Sequence, residues 1–321
     1  VAEGADSVSD PFLITGPALI SFSGGRTSAY MLWRILQAHG GKLPDGVVVA
    51  FANTGKEREE TLRFVHEGAS RWGVNVHWVE WRDSDVGFEA IGFNSASRAG
   101  EPFDALIDKK QRLPNGGERW CTQYLKVLPM HALMRDLGAG EPGSYAEPIG
   151  LRFDEGHRIL HGLAKAKRQG RRVCYPLAEA EISKRDVLDF WFGFDRRFET
   201  SIRPQGFDLE LPELWGNCDL CFAMGIAIRR ERVRQQPETA GWWQAAEDRT
   251  GGRFAFRETV AEIVADASSH SATPDLFDHA SDAECGDQCG GDSAAEIAAL
   301  QAEYECSHGA CAPLQSGSTI P

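Results

Sequence analysis

From residue 17 onward the apolar positions change rhythm in a regular succession. Residues 17–22 are a short, mostly apolar run, 28–39 repeat apolar side chains three and four apart, 46–52 are a continuous apolar run, 57–72 return to the helical spacing, and 74–81 largely alternate apolar with polar, the two-residue period of a strand. Continuous runs of this length fit buried strands, and the three-and-four spacing fits amphipathic helices. Strands alternating with helices imply right-handed crossovers, hence an α/β fold built on a doubly wound parallel sheet with flanking helices. Ligands bind such sheets beyond the carboxyl ends of the strands.

Farther along the pattern is less regular. Residues 83–119 are rich in turn formers and predict a long excursion over that edge. A helix is expected over 121–137, ended by Gly138, then a strand near 145–150 that delivers Arg152 to the same edge, then a mobile basic loop over 153–172. Ser183-Lys184-Arg185-Asp186 predicts the cap of a helix over 184–193, with Val187, Leu188 and Trp191 on one stripe. Residues 222–235 and 237–248 read as helices, Trp242 and Trp243 as packing. From about residue 268, Ser, Ala, Asp and Gly dominate, which predicts a poorly ordered tail with a short helix at 293–304. The chain thus divides into an irregular lead-in (1–14), an α/β domain (15–182), a helical cysteine-bearing part (183–266) and the acidic tail (267–321).

Composition adds two limits. With 321 residues and 42% apolar content the chain can bury one large core or a core with an appendage. No apolar run approaches the length of a membrane span and no signal-peptide layout opens the sequence, so a cytoplasmic protein is expected. The formal charge of −13 is concentrated in the tail: beyond Arg257 there is no Lys or Arg, while twelve acidic residues follow from Glu258 to Glu305. The remainder is close to neutral. Anion-binding patches there are not swamped, and Lys165–Arg172 and Arg229–Arg234 are two basic candidates.

The chemistry concentrates where the first strand meets the first helix. Ser23-Gly24-Gly25-Arg26-Thr27-Ser28 places two glycines after a strand, letting the backbone turn tightly against an anion, and the following helix offers unpaired N–H groups and the positive end of its dipole. Hydroxyls of Ser23, Thr27 and Ser28 and the Arg26 guanidinium are expected to add donors. The spelling is neither that of a Walker loop nor that of a dinucleotide-binding turn. Asn53-Thr54-Gly55 closes the second strand at the same edge, so both segments are expected to share one pocket.

These segments resemble, in chain order, the phosphoadenosine phosphosulfate reductase family of the PP-loop superfamily. Ser23–Ser28 is similar to its Ser-Gly-Gly-x-x-Ser loop, Asn53-Thr54-Gly55 with Glu60-Thr61 to its Asp-Thr-Gly and Glu-Thr, and Cys121-Thr122-Gln123-Tyr124-Leu125-Lys126 to its Cys-Cys-x-x-x-Lys. Gly150-Leu151-Arg152 with Arg158 resembles its substrate loop, and Tyr175-Pro176-Leu177 and Gly216–Phe222 complete the series. The likeness spans roughly residues 15–250 and is nearest to small reductase-like proteins of phages and prophages. It implies an adenine nucleotide, ATP or an adenosine sulfonucleotide, on Ser23–Ser28, Asn53–Gly55 and Arg158, with Lys126 and Arg152 catalytic.

Eight cysteines in a chain with no export signal point to burial, metal or redox work rather than disulfides. Cys218-x-x-Cys221 has metal-ligand spacing, and with no second such pair zinc, a cluster and unmetallated thiols all stay open. The resemblance implies a [4Fe–4S] cluster on Cys121, Cys218 and Cys221. Thr122 stands where a fourth thiolate would be, so either Cys174 completes the set or one iron keeps an exchangeable ligand, as in PP-loop sulfurtransferases. Glu284-Cys285-Gly286 begins like the reductases' nucleophile signature but lacks its histidine; Cys289, Cys306 and Cys311 follow without a pattern.

Two functions of different class are expected to compete. One is nucleotide-dependent sulfur chemistry, splitting ATP or attacking a sulfonucleotide; Thr27, where many ATP-splitting relatives carry Asp, weakens its magnesium form. The other is modification or binding of nucleic acid, DNA or tRNA, gripped by the two basic stretches. A degenerate nucleotide-binding protein with structural zinc is a third. A homo-oligomer or a thiol-redox partner is left open; a membrane is not expected.

Overall fold

The computed structural model describes residues 10–193, 205–212, 215–216 and 218–269. The expected tail with its helix at 293–304, and Cys285, Cys289, Cys306 and Cys311, lie outside them. In chain order the strands are β1 (Ala18–Ser21), β2 (Val47–Asn53), β3 (Val76–Trp81), β4 (Phe88–Ile91), β5 (Ala146–Pro148) and β6 (Arg172–Cys174). They form one sheet in the order β4-β3-β2-β1-β5-β6, parallel except for the antiparallel edge strand β4. The chain leaves β1 toward β2 and β3, then returns to add β5 and β6 on the other side. The order therefore reverses between β1 and β5, and the predicted doubly wound sheet is present.

Helices cover both faces. On one, α1 (Arg26–Ala38), α2 (Glu59–Trp72) and α8 (Lys184–Phe192) pack Ile35, Phe64, Val65 and Trp191 against Ile20, Phe22, Val49 and Phe51. On the other, α4 (Trp120–Thr122), a π-helical turn (Gln123–Val127) and α5 (Leu128–Asp136) form one run whose Met130, Leu133 and Met134 meet Leu19, Ala50, Ala52 and Val79. Alternate strand residues thus serve opposite faces, as a two-residue period requires. Ser183 caps α8 as expected, its hydroxyl accepting from Asp186 N–H at 3.4 Å.

A second core joins α3 (Glu101–Lys110) and Trp120 to α9 (Ile226–Gln235), α10 (Ala240–Thr250) and α11 (Val260–Ser269) through Phe103, Leu106, Ile107, Val233, Trp243, Phe254 and Ile263. Trp242 and Trp243 pack there, as read from sequence.

Two expectations are corrected. The segment 83–119 is not a featureless excursion: it holds β4 and α3, the latter entered through Gly100 at φ +94° with Pro102 in its first turn. Nor is 153–172 a mobile loop. It folds into α6 (Gly156–Gln169), closed by Gly170 at φ +64°, then β6, and the short α7 (Pro176–Glu179) follows. Gly162 lowers the helical reading of α6, but a Cβ there would lie 2.0 Å from the Tyr175 hydroxyl, so close packing demands the glycine.

Candidate functional site

The loop Ser23–Ser28 leaves the carboxyl end of β1 and enters α1, as predicted. Gly24 has φ +79°, and a Cβ on it would stand 2.6 Å from Thr61 Cγ2, so both its torsion and its neighbour exclude a side chain. Gly25 is different: as the N-cap of α1 it is ordinary extended backbone at φ −94°. No side chain caps α1 and no acidic residue occupies its first turn, which leaves its amino-terminal N–H groups oriented for an anion. Ser23 Oγ and Ser28 Oγ lie 3.0 Å apart, and Ser28 Oγ donates to Gly25 O at 3.0 Å.

The Gly-x-Arg segment closes on this loop. A Cβ at Gly150 would be 3.1 Å from Ser28 Cα, so the chain after β5 runs against the loop backbone. Arg152, buried, donates from Nη1 to Thr27 Oγ1 at 3.2 Å and from Nε to Asp154 Oδ1 at 3.0 Å. Arg158 pairs with Glu155, whose other carboxylate oxygen accepts Arg152 N–H at 2.9 Å.

Arg26 departs from its expected role. Its Nε and Nη2 form a fork on Asp208 at 2.8 and 2.6 Å, Nη2 also donates to Leu211 O at 2.9 Å, and the guanidinium lies over the Phe192 ring. Burial alone would raise the Asp208 carboxyl, but the hydrogen bonds and charge of Arg26 hold it below its ordinary value. Arg26 is thus a clamp between α1 and the segment around Asp208.

Asn53, Thr54 and Gly55 are likewise structural in their side chains. Asn53 donates to Glu80 Oε1 at 2.6 Å and Ser97 O at 2.8 Å, while Gly55 (φ +78°) packs beneath Gly100 and Pro102, where a Cβ would meet both at 3.0 Å. The segment is roofed by 97–102. The open crevice lies instead on the other flank of β1, at the reversal of strand order between β1 and β5. It is lined by Phe22, Ser23, Lys126, Met130, Glu147 and Arg171 among others. At its base the buried Glu147 accepts Arg171 Nε and Nη2 at 2.9 and 2.6 Å and lies 3.1 Å from His131 Nε2. Burial raises the Glu147 carboxyl, but the bonds from His131 and Arg171 outweigh it and pull it down to about 2.

Lys126 occupies the π turn, a geometry that rotates side chains off the α-helical register and recurs at functional sites. Its Nζ lies 3.5 Å from Glu57 Oε1. Glu57, missed in the sequence, is a hub: its Oε2 accepts both Thr54 N–H and Thr54 Oγ1 at 2.8 Å, and Cys218 Sγ lies 4.0 Å from its Oε1 and 3.7 Å from Thr54 Oγ1. Its signal was the Thr-x-x-Glu spacing of a local side-chain turn.

The Cys-x-x-Cys loop is stitched to the end of β2. Glu57 and Cys218 form a β-bridge, Asp219 N–H donates to Lys56 O at 2.9 Å, and Lys56 Nζ pairs with Asp219 Oδ2 at 2.9 Å. Buried Arg232 donates to the carbonyls of Gly216, Cys218 and Asp219 at 3.0, 3.1 and 2.8 Å, and burial pulls it down to about 10. The expected phosphate-gripping face at 229–234 is therefore corrected: Arg229 and Arg232 are buried, Arg230 pairs with Glu258 and Asp266, and Arg234 with Glu231.

Cys121, Cys218 and Cys221 are thiols and share the second core. Cys174 does not join them: against the expectation that the cysteines avoid disulfides it is disulfide-bonded, and it ends β6, three strands from β2, roughly 14 Å at ordinary strand spacing. Among the described residues no three His, Cys, Asp or Glu side chains form a group that could hold a metal ion.

These features define a Rossmann-like α/β protein whose switch-point edge is compatible with a nucleotide-binding enzyme. No helix among the described residues is long and apolar enough to cross a membrane. No family model matches the chain. It is 32% identical over 235 residues to the uncharacterized nin region protein ORF290 of Escherichia phage lambda, which covers 68% of this chain and 71% of that protein. The chain belongs to the family of that phage protein.

Proposed function

We propose that this protein is a nucleotide-binding enzyme of the PP-loop kind, acting in sulfur chemistry. The observation that carries the reading is the convergence, at the reversal of strand order, of a glycine-bent loop, an uncapped helix start and the buried Arg152. Phosphates of ATP or an adenosine sulfonucleotide sit on the N–H groups of Ser23–Ser28, and the base enters the crevice beside Met130 rather than lying over Asn53–Gly55. Lys126 and Arg152 supply positive charge where negative charge develops on a leaving group. Arg26, committed to Asp208, does not. Titration calorimetry of the full chain with ATP and with adenosine phosphosulfate tests this: one of the two binds, and Gly24→Val in a folded variant abolishes it. Unchanged affinity in that variant removes the site from the loop.

The sulfur half rests on three thiols in one core next to that edge, two of which, Cys218 and Cys221, lie within electrostatic reach of the buried Arg232. The expected iron–sulfur cluster, or zinc, is tested by iron, sulfide and zinc analysis of anaerobically purified protein. Iron and sulfide near four per chain support the cluster; zinc without iron supports the structural alternative. The nucleic-acid reading keeps only the stretch on α6 and β6, where Arg171 is already tied to Glu147.

A further inference from the structure

The first turns of α6 carry His157 and His161, four residues apart and hence on one face of the helix. Their rings lie 4.4 Å apart between centroids, and the two Nε2 atoms are separated by 3.2 Å. His157 is exposed and His161 half-buried.

That separation has a chemical meaning. Two imidazole nitrogens each about 2.0–2.1 Å from a shared ion, and 3.2 Å from one another, subtend an angle of roughly 100° at the ion, close to the tetrahedral angle zinc adopts. The helix backbone fixes both Cα positions, so little rearrangement is needed to close the chelate. Of the neighbouring cations, Arg158 is turned onto Glu155, and Arg152 onto Asp154 and Thr27, while Lys165 follows His161 by one helical turn on a long, flexible side chain. We propose that His157 and His161 form a two-histidine site for a borderline divalent transition-metal ion, with zinc as the type. Neutral imidazole suits such ions over magnesium or calcium, which prefer oxygen.

With two protein ligands the ion keeps open positions for water or an exogenous anion. Its location gives this consequence: α6 starts four residues after Arg152, which bonds the Ser23–Ser28 loop, so the ion stands at the rim of the same edge. The assignment is independent of the nucleotide reading, since it uses neither the loop nor the thiols.

The test reads the two ring nitrogens directly. Full-length protein is treated with diethyl pyrocarbonate with and without zinc chloride, and modification is followed peptide by peptide by mass spectrometry. Saturating zinc slows modification of His157 and His161 at least tenfold, while the exposed His66 is unaffected. In His161→Ala the protection of His157 falls below twofold, and His157→Ala does the same to His161. Zinc held by cysteines does not alter this readout. No slowing at either histidine, or undiminished protection in the single variants, overturns the proposal.

Discussion

At the scale of single residues, the two glycines of the Ser23–Ser28 loop do different work. Gly24→Ala forces a side chain into left-handed backbone and onto Thr61, and is expected to destabilise by about 1–3 kcal/mol. Gly25→Ala changes an extended N-cap and costs only a few tenths to about 1 kcal/mol. Urea melts of the two variants check the contrast; equal losses refute the backbone argument. The two loop arginines separate in the opposite sense. Arg26→Ala leaves Asp208 buried and unpaired, a loss of about 3–5 kcal/mol in stability. Arg152→Ala weakens nucleotide binding by about 1.5–3 kcal/mol, roughly 10- to 150-fold, for a charged hydrogen bond. Calorimetry showing wild-type affinity in Arg152→Ala would place that side chain outside the ligand. Neither distinction was legible in the sequence, because Asp208 lies 182 residues from Arg26 and nothing local announces the pair. Glu57 has a local signal in its Thr-x-x-Glu spacing, but its partners Lys126 and Cys218 come from other elements, so its place as a hub is not legible.

Elements explain which parts were readable. α1 and α2 each carry one unbroken period and one buried face, and β1, β2 and β3 are short apolar-rich segments buried on both faces, so their rhythm survives in sequence. α6 was hidden by a glycine that packing requires, and β4 by its brevity at a half-exposed edge. The pairing of β5 with the α6–β6 segment through Glu147 and Arg171 yields an acid prediction. Glu147 is held down to about 2 against an ordinary 4.5, so its contribution to stability is complete above about 4.5 and is lost as pH falls toward 2. Denaturant melts of Glu147→Gln should show a shallower decline across that window than wild type; parallel declines would mean the carboxylate is not ionised by its partners. Arg232 makes a second element-level case. Arg232→Met leaves three carbonyls of the cysteine loop without their donor, at about 1–3 kcal/mol for each that stays buried and unmatched. Faster alkylation of Cys218 and Cys221 is the expected signature, with Cys121 changed less.

For the molecule as a whole, the sheet and the reversal of its strand order were legible, whereas the division of labour between its two cores was not. The sequence suggests a break near residue 183, yet α8 packs with α1 and α2, while α3 and Trp120 from the first half pack with α9–α11. Side-chain periodicity reports that a face is buried and not what buries it, so exchanges of partners across the chain are invisible until the fold is in hand. The short bridge between Glu57 and Cys218 lies where the two cores meet. Because the backbone of the cysteine loop is completed by hydrogen bonds from the turn after β2, its amides cannot open while that turn stays shut. In deuterium exchange, Asp219 and the residues flanking β2 are therefore expected to exchange at one common rate, as a single cooperative unit. Any ligand that braces the strand edge would then slow exchange at the thiols without touching them.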